Sequence, residues 1–352
     1  MQDGKRLDRQ GRLLAIGTGA GLSSLDRGLS SHRAGVRFAW DDVISCAPML
    51  FLGSLADRFR TSVPEARYHR EERPVRPRLA VQWVGTAGFR LVSGDHHFWI
   101  DPHLSRHSLG ELLRGPVAPK LALVARTVDV AHAVAAGHSH FDHAIDVPAV
   151  AKLKGARVYG SNDTLNYCRG SGVPEAQLHE IRGGEDLREG PFRFRPVLSQ
   201  HSTIGWGQNS ILSLQIVPFP GRIEHPLSPP LRASELRVGT VFGFHLESEG
   251  GSVYHIGSAN LVEAEMAGLR ADVVLCCTVG RQSTERYTAR VLDALRPRVV
   301  IPCHWDQFWR PLDEPARQIP TNDLEGFLSE VASHPLAPEV RVLPLCGWTR
   351  IA

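Results

Sequence analysis

Six residues, His138-Ser-His-Phe-Asp-His143, set three imidazoles and one carboxylate within a short run of backbone. Imidazole nitrogen is the commonest borderline ligand for a transition metal, and a carboxylate is the hard partner that can also hold a water beside the ion. Hydrolysis by metal-activated water is the chemistry such a cluster can do, with Asp142 orienting the water and passing a proton to the leaving group. A histidine-rich surface loop is the bland alternative in a chain with 17 histidines. Such a loop would not follow an apolar stretch as long as the one preceding this motif.

That stretch, Leu121 to Ala136, is rich in Val, Ala and Leu and predicts a buried strand ending at Gly137, where the chain is free to turn. If His138 and His140 continue the extended backbone, alternation puts them on one face. Asp142 and His143 then fall where the chain turns into a helix starting near Asp146. One or two ions could sit among these four side chains.

At these residues the chain resembles the metallo-beta-lactamase superfamily, whose signature is His-x-His-x-Asp-His. Further segments match in the family's order. Val81 to Phe89 and Phe98 to Pro102 look like its opening strand pair, with Asp101 at the position of a carboxylate that supports a metal-binding histidine. Gly183 to Glu185, Gly190 to Phe192 and Val197 to His201 are similar to the hairpin that ends in the next ligand, and Val299 to His304 to the strand that delivers the last. The likeness spans about residues 79–352 and implies an α/β fold, a four-layer αββα sandwich, preceded by an N-terminal extension over 1–78.

The resemblance also implies a ligand set. His138, His140 and His201 would form one site, and Asp142, His143 and His304 the other, holding one or two zinc ions, with manganese or iron as alternatives. Where the family carries a bridging aspartate, Val253-Tyr-His-Ile-Gly-Ser258 offers Ser258, a neutral and weak ligand. Dinuclear, mononuclear and vestigial sites therefore all stay open. The Trp83-Val-Gly-Thr-Ala opening and the Ile301-Pro-Cys-His-Trp ending resemble the branch containing ascorbate phosphate lactonase and N-acyl phosphatidylethanolamine phospholipase D. A small-molecule or lipid-like lactone, ester or phosphodiester follows as the implied substrate. The competing class is a non-hydrolytic or substrate-binding relative with an altered metal site.

Composition fits a soluble globular chain of 352 residues, 42% hydrophobic, with a net charge of +3. Residues 1–78 hold 14 Lys and Arg against 9 acidic residues, a balance of +5, which leaves −2 for the rest. The catalytic region is thus no basic surface, which argues against nucleic acid as a partner. No apolar run reaches the ~20 residues needed to cross a bilayer. The six cysteines have no Cys-x-x-Cys spacing and read as reduced thiols in a cytoplasmic protein, with export of the chain the alternative suggested by Leu13 to Leu25. Between Val36 and Phe59, apolar residues at helical intervals broken by Pro48 predict two short amphipathic helices, which would cover a domain edge, make a homo-oligomer contact or touch a membrane surface peripherally.

Strands are expected near 79–92, 96–101, 121–136, 156–160, 239–247, 251–257, 272–278, 298–303 and 340–345, with a hairpin region over 178–200. Helices are expected near 146–154, 162–170, 261–268, 284–295 and 321–333. Proline-rich 202–238 reads as an irregular loop forming a wall over the substrate, with Trp206 in it. Arg281 is the charged residue placed to bind substrate, whereas Arg222, His225, Arg232 and Arg237 read as solvated surface and His255 as structural.

Overall fold

In the computed structural model, residues 63–206, 214–320 and 322–352 are described. The two helices expected within 36–59, and most of the 1–78 extension, lie outside them.

The chain builds its first sheet from β1 (Ala80–Trp83), β2 (Phe89–Ser93), β3 (His96–Ile100), β4 (Ala133–Ala135), β5 (Arg157–Gly160) and β6 (Leu178–Glu180). A second sheet starts with the hairpin β7 (Leu187–Glu189) and β8 (Phe192–Leu198). After a separate pair, β9 (Ile204–Trp206) and β10 (Leu214–Ile216), it continues through β11 (Phe242–Ser248), β12 (Gly251–Ile256), β13 (Val273–Cys277), β14 (Val299–Cys303) and β15 (Glu339–Val340). The last strand, β16 (Trp348–Arg350), returns to the first sheet against β1. Among the described residues each of these two sheets has seven strands, and each passes from antiparallel pairing at one end to parallel pairing at the other.

Side-chain alternation separates the layers. On β3, β4 and β5, Phe98, Ala135 and Tyr159 belong to the core between the sheets, while Trp99, Val134 and Val158 belong to a second cluster on the outer face. Phe98 and Tyr159 meet Phe194 of β8 edge-on, with ring centroids 5.2 and 4.8 Å apart. Truncating Phe98 to alanine would cost roughly 3–5 kcal/mol. The outer face is covered by the helices Leu121–Thr127, Val147–Lys154 and Asn162–Gly170. The helices Tyr287–Leu295 and Leu324–Ser333 pack on the other sheet through Tyr287, Val291, Leu295, Phe327 and Val331. Helix, sheet, sheet and helix stack in that order, the αββα sandwich expected from the sequence.

Several expected elements differ. Residues 121–127 are helical and only 133–135 are strand, because Val124 and Val128, one helical turn apart, are buried while Leu121 is 56% exposed. Residues 79–92 split into β1 and β2 around the turn Gly85-Thr-Ala-Gly88. Instead of a helix, 261–268 is a series of turns with three-residue hydrogen bonds; its buried residues Leu261 and Met266 are five apart, a spacing no single helix face accommodates. The expected strand 340–345 shrinks to β15, and β16 follows it. The 202–238 segment is not wholly irregular, since β9 pairs with β10. Residues just before β1 are anchored: Tyr68 bridges Val342 and Glu71 bridges Trp348.

Candidate metal centre

The residues singled out by chemistry all follow the carboxyl ends of strands. Asp101 follows β3, His138 and His140 follow β4, His201 follows β8, Ser258 follows β12 and His304 follows β14. Strands β3 and β4 are parallel, as are β12 to β14, and β8 runs in the same direction as β12 because both are antiparallel to β11. Residues far apart in the chain thus emerge on common edges. Asp142 and His143 lie in the single-turn helix Phe141–Ala144, so helical structure begins earlier than the sequence suggested.

Two triads result. One ligand-capable atom from each of His138, His140 and His201 lies within 4.8 Å of the others, and the same holds for Asp142, His143 and His304. The triads touch through His138 and His143, whose ring centroids are 3.8 Å apart. His304 Nε2 is 3.1 Å from Asp142 Oδ2, and His143 Nε2 is 3.8 Å from it.

Hydrogen bonds at the far side of the rings select the inward nitrogen. His140 Nε2–H donates to the Pro218 carbonyl at 2.9 Å, leaving Nδ1 to face His138 Nε2 at 3.1 Å. His201 Nδ1–H donates to its neighbour's carbonyl, Ser202, at 2.6 Å. His143 Nδ1–H donates to Asp101 Oδ2 at 2.7 Å, and Asp101 Oδ1 accepts the Gly137 N–H at 2.6 Å. His138 and His304 have buried Nδ1 atoms without a partner.

The electrostatics suit a cation. Burial, with neighbouring imidazoles, pushes His138 well below the usual histidine value, His140 down to about 4 and His201 down to about 3. These rings are neutral at pH 7, the form that ligates. Burial opposes charge on His143, yet Asp101 and Asp142 raise it. Burial likewise opposes charge on Asp142, yet His143 and His304 hold it well below the carboxylate range. The carboxylates at this triad draw positive charge, and the donor set of five imidazoles and one carboxylate suits a divalent transition-metal ion.

Ser258 is buried beside the centre, where its hydroxyl accepts the Ser202 N–H at 3.0 Å. The preceding Gly257 leaves no room for a side chain, since a Cβ would fall 2.8 Å from Asp101 Oδ2. His255 is buried and donates Nε2–H to the Ala87 carbonyl, an internal strut. Arg281, expected to bind substrate, is instead 3% exposed and ion-paired with Asp323 and Glu330. Its guanidinium is neutralised inside the fold by the helix Leu324–Ser333 and the residue before it. Trp206 lies on β9, opposite Leu214. Phe219, in the 202–238 segment expected to wall the site, lies 6.2 Å from the His140 ring, and Phe308, which the sequence reading did not single out, lies 6.3 Å from that of His304. The proximity of Phe308 to His304 in the chain was the available signal.

A family model described as the beta-lactamase superfamily domain matches residues 96–305. The chain belongs to that superfamily. Among curated relatives it is 26% identical over 269 residues to a metal-dependent hydrolase of Methanopyrus kandleri, covering 75% of this chain and 96% of the relative. It is 25% identical over 234 residues to one of Pyrobaculum arsenaticum, covering 65% and 85%. Among solved structures it is similar to Igni18, a metallo hydrolase from Ignicoccus hospitalis, at 18% identity and a TM-score of 0.48, covering 77% of this chain and 97% of that one.

Proposed function

We propose that the protein is a metal-dependent hydrolase acting on an uncharged carbonyl substrate, a lactone or an ester. The observation that carries this reading is the meeting of His201 and His304 with the His138–His143 motif in two adjoining triads. The relatives' name, metal-dependent hydrolase, supports it. Zinc is the ion the donor set favours, with manganese or iron as the alternatives. His138, His140 and His201 would hold one ion and Asp142, His143 and His304 another. A divalent ion bound there supplies a Lewis acid and brings the ionisation of water toward neutral pH.

The protein's own residues do the rest. Asp142, held ionised between His143 and His304, accepts a hydrogen bond from the attacking water and hands its proton to the leaving oxygen. Asp101 fixes the tautomer and tilt of His143. Phe219 and Phe308, both partly buried, flank the two triads as apolar walls. The buried guanidiniums of Arg106 and Arg281 are each committed to a carboxylate, leaving these two cations unsuited to gripping a phosphodiester. That favours neutral substrates over the phosphodiester that the sequence left open.

The test is metal analysis of the purified chain, followed by assays of lactones, esters, amides and phosphodiesters with zinc or manganese. Lactone or ester turnover that disappears in His140→Ala and Asp142→Asn is expected. Metal binding without hydrolysis across the panel would favour a binding protein instead, and iron with redox activity would replace hydrolysis by oxidation chemistry.

A further inference from the structure

We propose that Arg106 and Asp306 are positioning residues that hold His304 toward the centre through the backbone of Thr86. This rests on the reading of the two triads as a metal centre. His140, His143 and His201 are each oriented by a hydrogen bond from the outward ring nitrogen, but His304 Nδ1 is buried and unpartnered. Something other than a ring partner must set its direction. His304 also sits at φ +57°, a left-handed conformation that a non-glycine residue keeps only where its surroundings enforce it.

The surroundings are a buried clasp. The His304 N–H donates to the Thr86 carbonyl at 2.7 Å, which also accepts the Trp83 indole N–H at 3.0 Å. Thr86 is itself left-handed, at φ +54°. Its N–H donates to Asp306 Oδ1 at 2.8 Å, and its hydroxyl accepts from Arg106 Nη1 at 3.0 Å. Arg106 Nη2 pairs with Asp306 Oδ2, both side chains being almost wholly buried, and Arg106 Nε donates to the Arg310 carbonyl at 3.0 Å. Three chain segments are thereby locked around one residue, Thr86, whose carbonyl grips the histidine backbone. A buried ion pair is poor evidence of stabilisation in itself, and its value here is in fixing geometry.

The full-length chain, stripped of metal, would be titrated with Co2+ while visible absorption, circular dichroism and thermal melting are followed. Asp306→Asn can still accept from Thr86 N–H but no longer balances Arg106. About 10- to 100-fold weaker Co2+ affinity and a shifted visible band are expected while the fold persists. The double variant Arg106→Gln/Asp306→Asn leaves no lone buried charge and carries the test where the single variant loses its fold; the same spectral change is expected. Glu189→Gln, which breaks the ion pair between a buried carboxylate and half-exposed Arg157 on a strand that supplies no ligand, should melt earlier with the wild-type Co2+ affinity and band. Folded clasp variants that bind Co2+ with the wild-type affinity and spectrum overturn the clasp alone. A wild-type chain that binds no Co2+ overturns the metal reading and the clasp with it.

Discussion

The two triads offer nearly the same donor groups and are built differently. His138, His140 and His201 come from two loops, and two of them are steered by backbone carbonyls, at Pro218 and Ser202. Asp142 and His143 share one helical turn, and His143 is steered by a carboxylate. The first triad is neutral, while the second holds Asp142 and leans on Asp101. At 4 Å and an effective dielectric of about 20, one carboxylate attracts a unit positive charge by about 4 kcal/mol. Charge placement, more than ligand count, should decide which triad fills first, and it favours Asp142, His143 and His304.

The largest effect should come from Asp142→Asn. Removing that charge is expected to weaken the tighter ion about 1,000-fold, the equivalent of ~4 kcal/mol, and to abolish hydrolysis. Equilibrium competition with a chelator measures it, and a tighter ion that stays put would break the comparison. His140→Ala should leave one tight ion per chain and lower only the affinity of the weaker one, by about 100-fold, counted by elemental analysis. Asp101→Asn is next, at about 10- to 100-fold on the tighter ion, because the amide orients His143 without the charge. Ser258→Asp should narrow the contrast from the other side, since a new carboxylate beside Ser202 is expected to tighten the weaker ion about 10-fold.

The smallest effect on metal is expected far from both triads. Glu189 is buried and takes hydrogen bonds from Arg157 and Tyr159, with His96 close by. Despite burial, these partners pull it from 4.5 down to about 2. Because the folded value lies below the unfolded one, the stabilisation is complete above about 4.5 and is lost as pH falls through about 2. Glu189→Gln should therefore cost roughly 2 kcal/mol at pH 7, a deficit that shrinks on acidification through that window. A deficit independent of pH would show the interaction to be other than ionic.

Much of the centre was legible because its core is contiguous. His138, His140, Asp142 and His143 need only local backbone to converge, and the αββα order came from the family resemblance, with which the alternating strand and helix segments agreed. His201 and His304 came from the family resemblance, since nothing local to them announces a ligand. Misreadings arose where composition is indifferent to shape. The Val, Ala and Leu of 121–136 suit a strand or a helix, and only the exposure of Leu121 against burial of Val124 separates them. Arg281 looked available because its neutralising partners, Asp323 and Glu330, lie 42 and 49 residues downstream. Thr86 and Asp306 were invisible as a pair for the same reason, being 220 residues apart.

The division of donors between the two sheets has a mechanical consequence. The motif from His138 to His143 hangs from the first sheet, whereas His201 and His304 hang from the second, so an ion bound in either triad would act as a rivet through the seam between them. Chelation should then do more than silence chemistry. The whole cooperative melt should move to lower temperature, by an amount that grows with the free-ion concentration withdrawn.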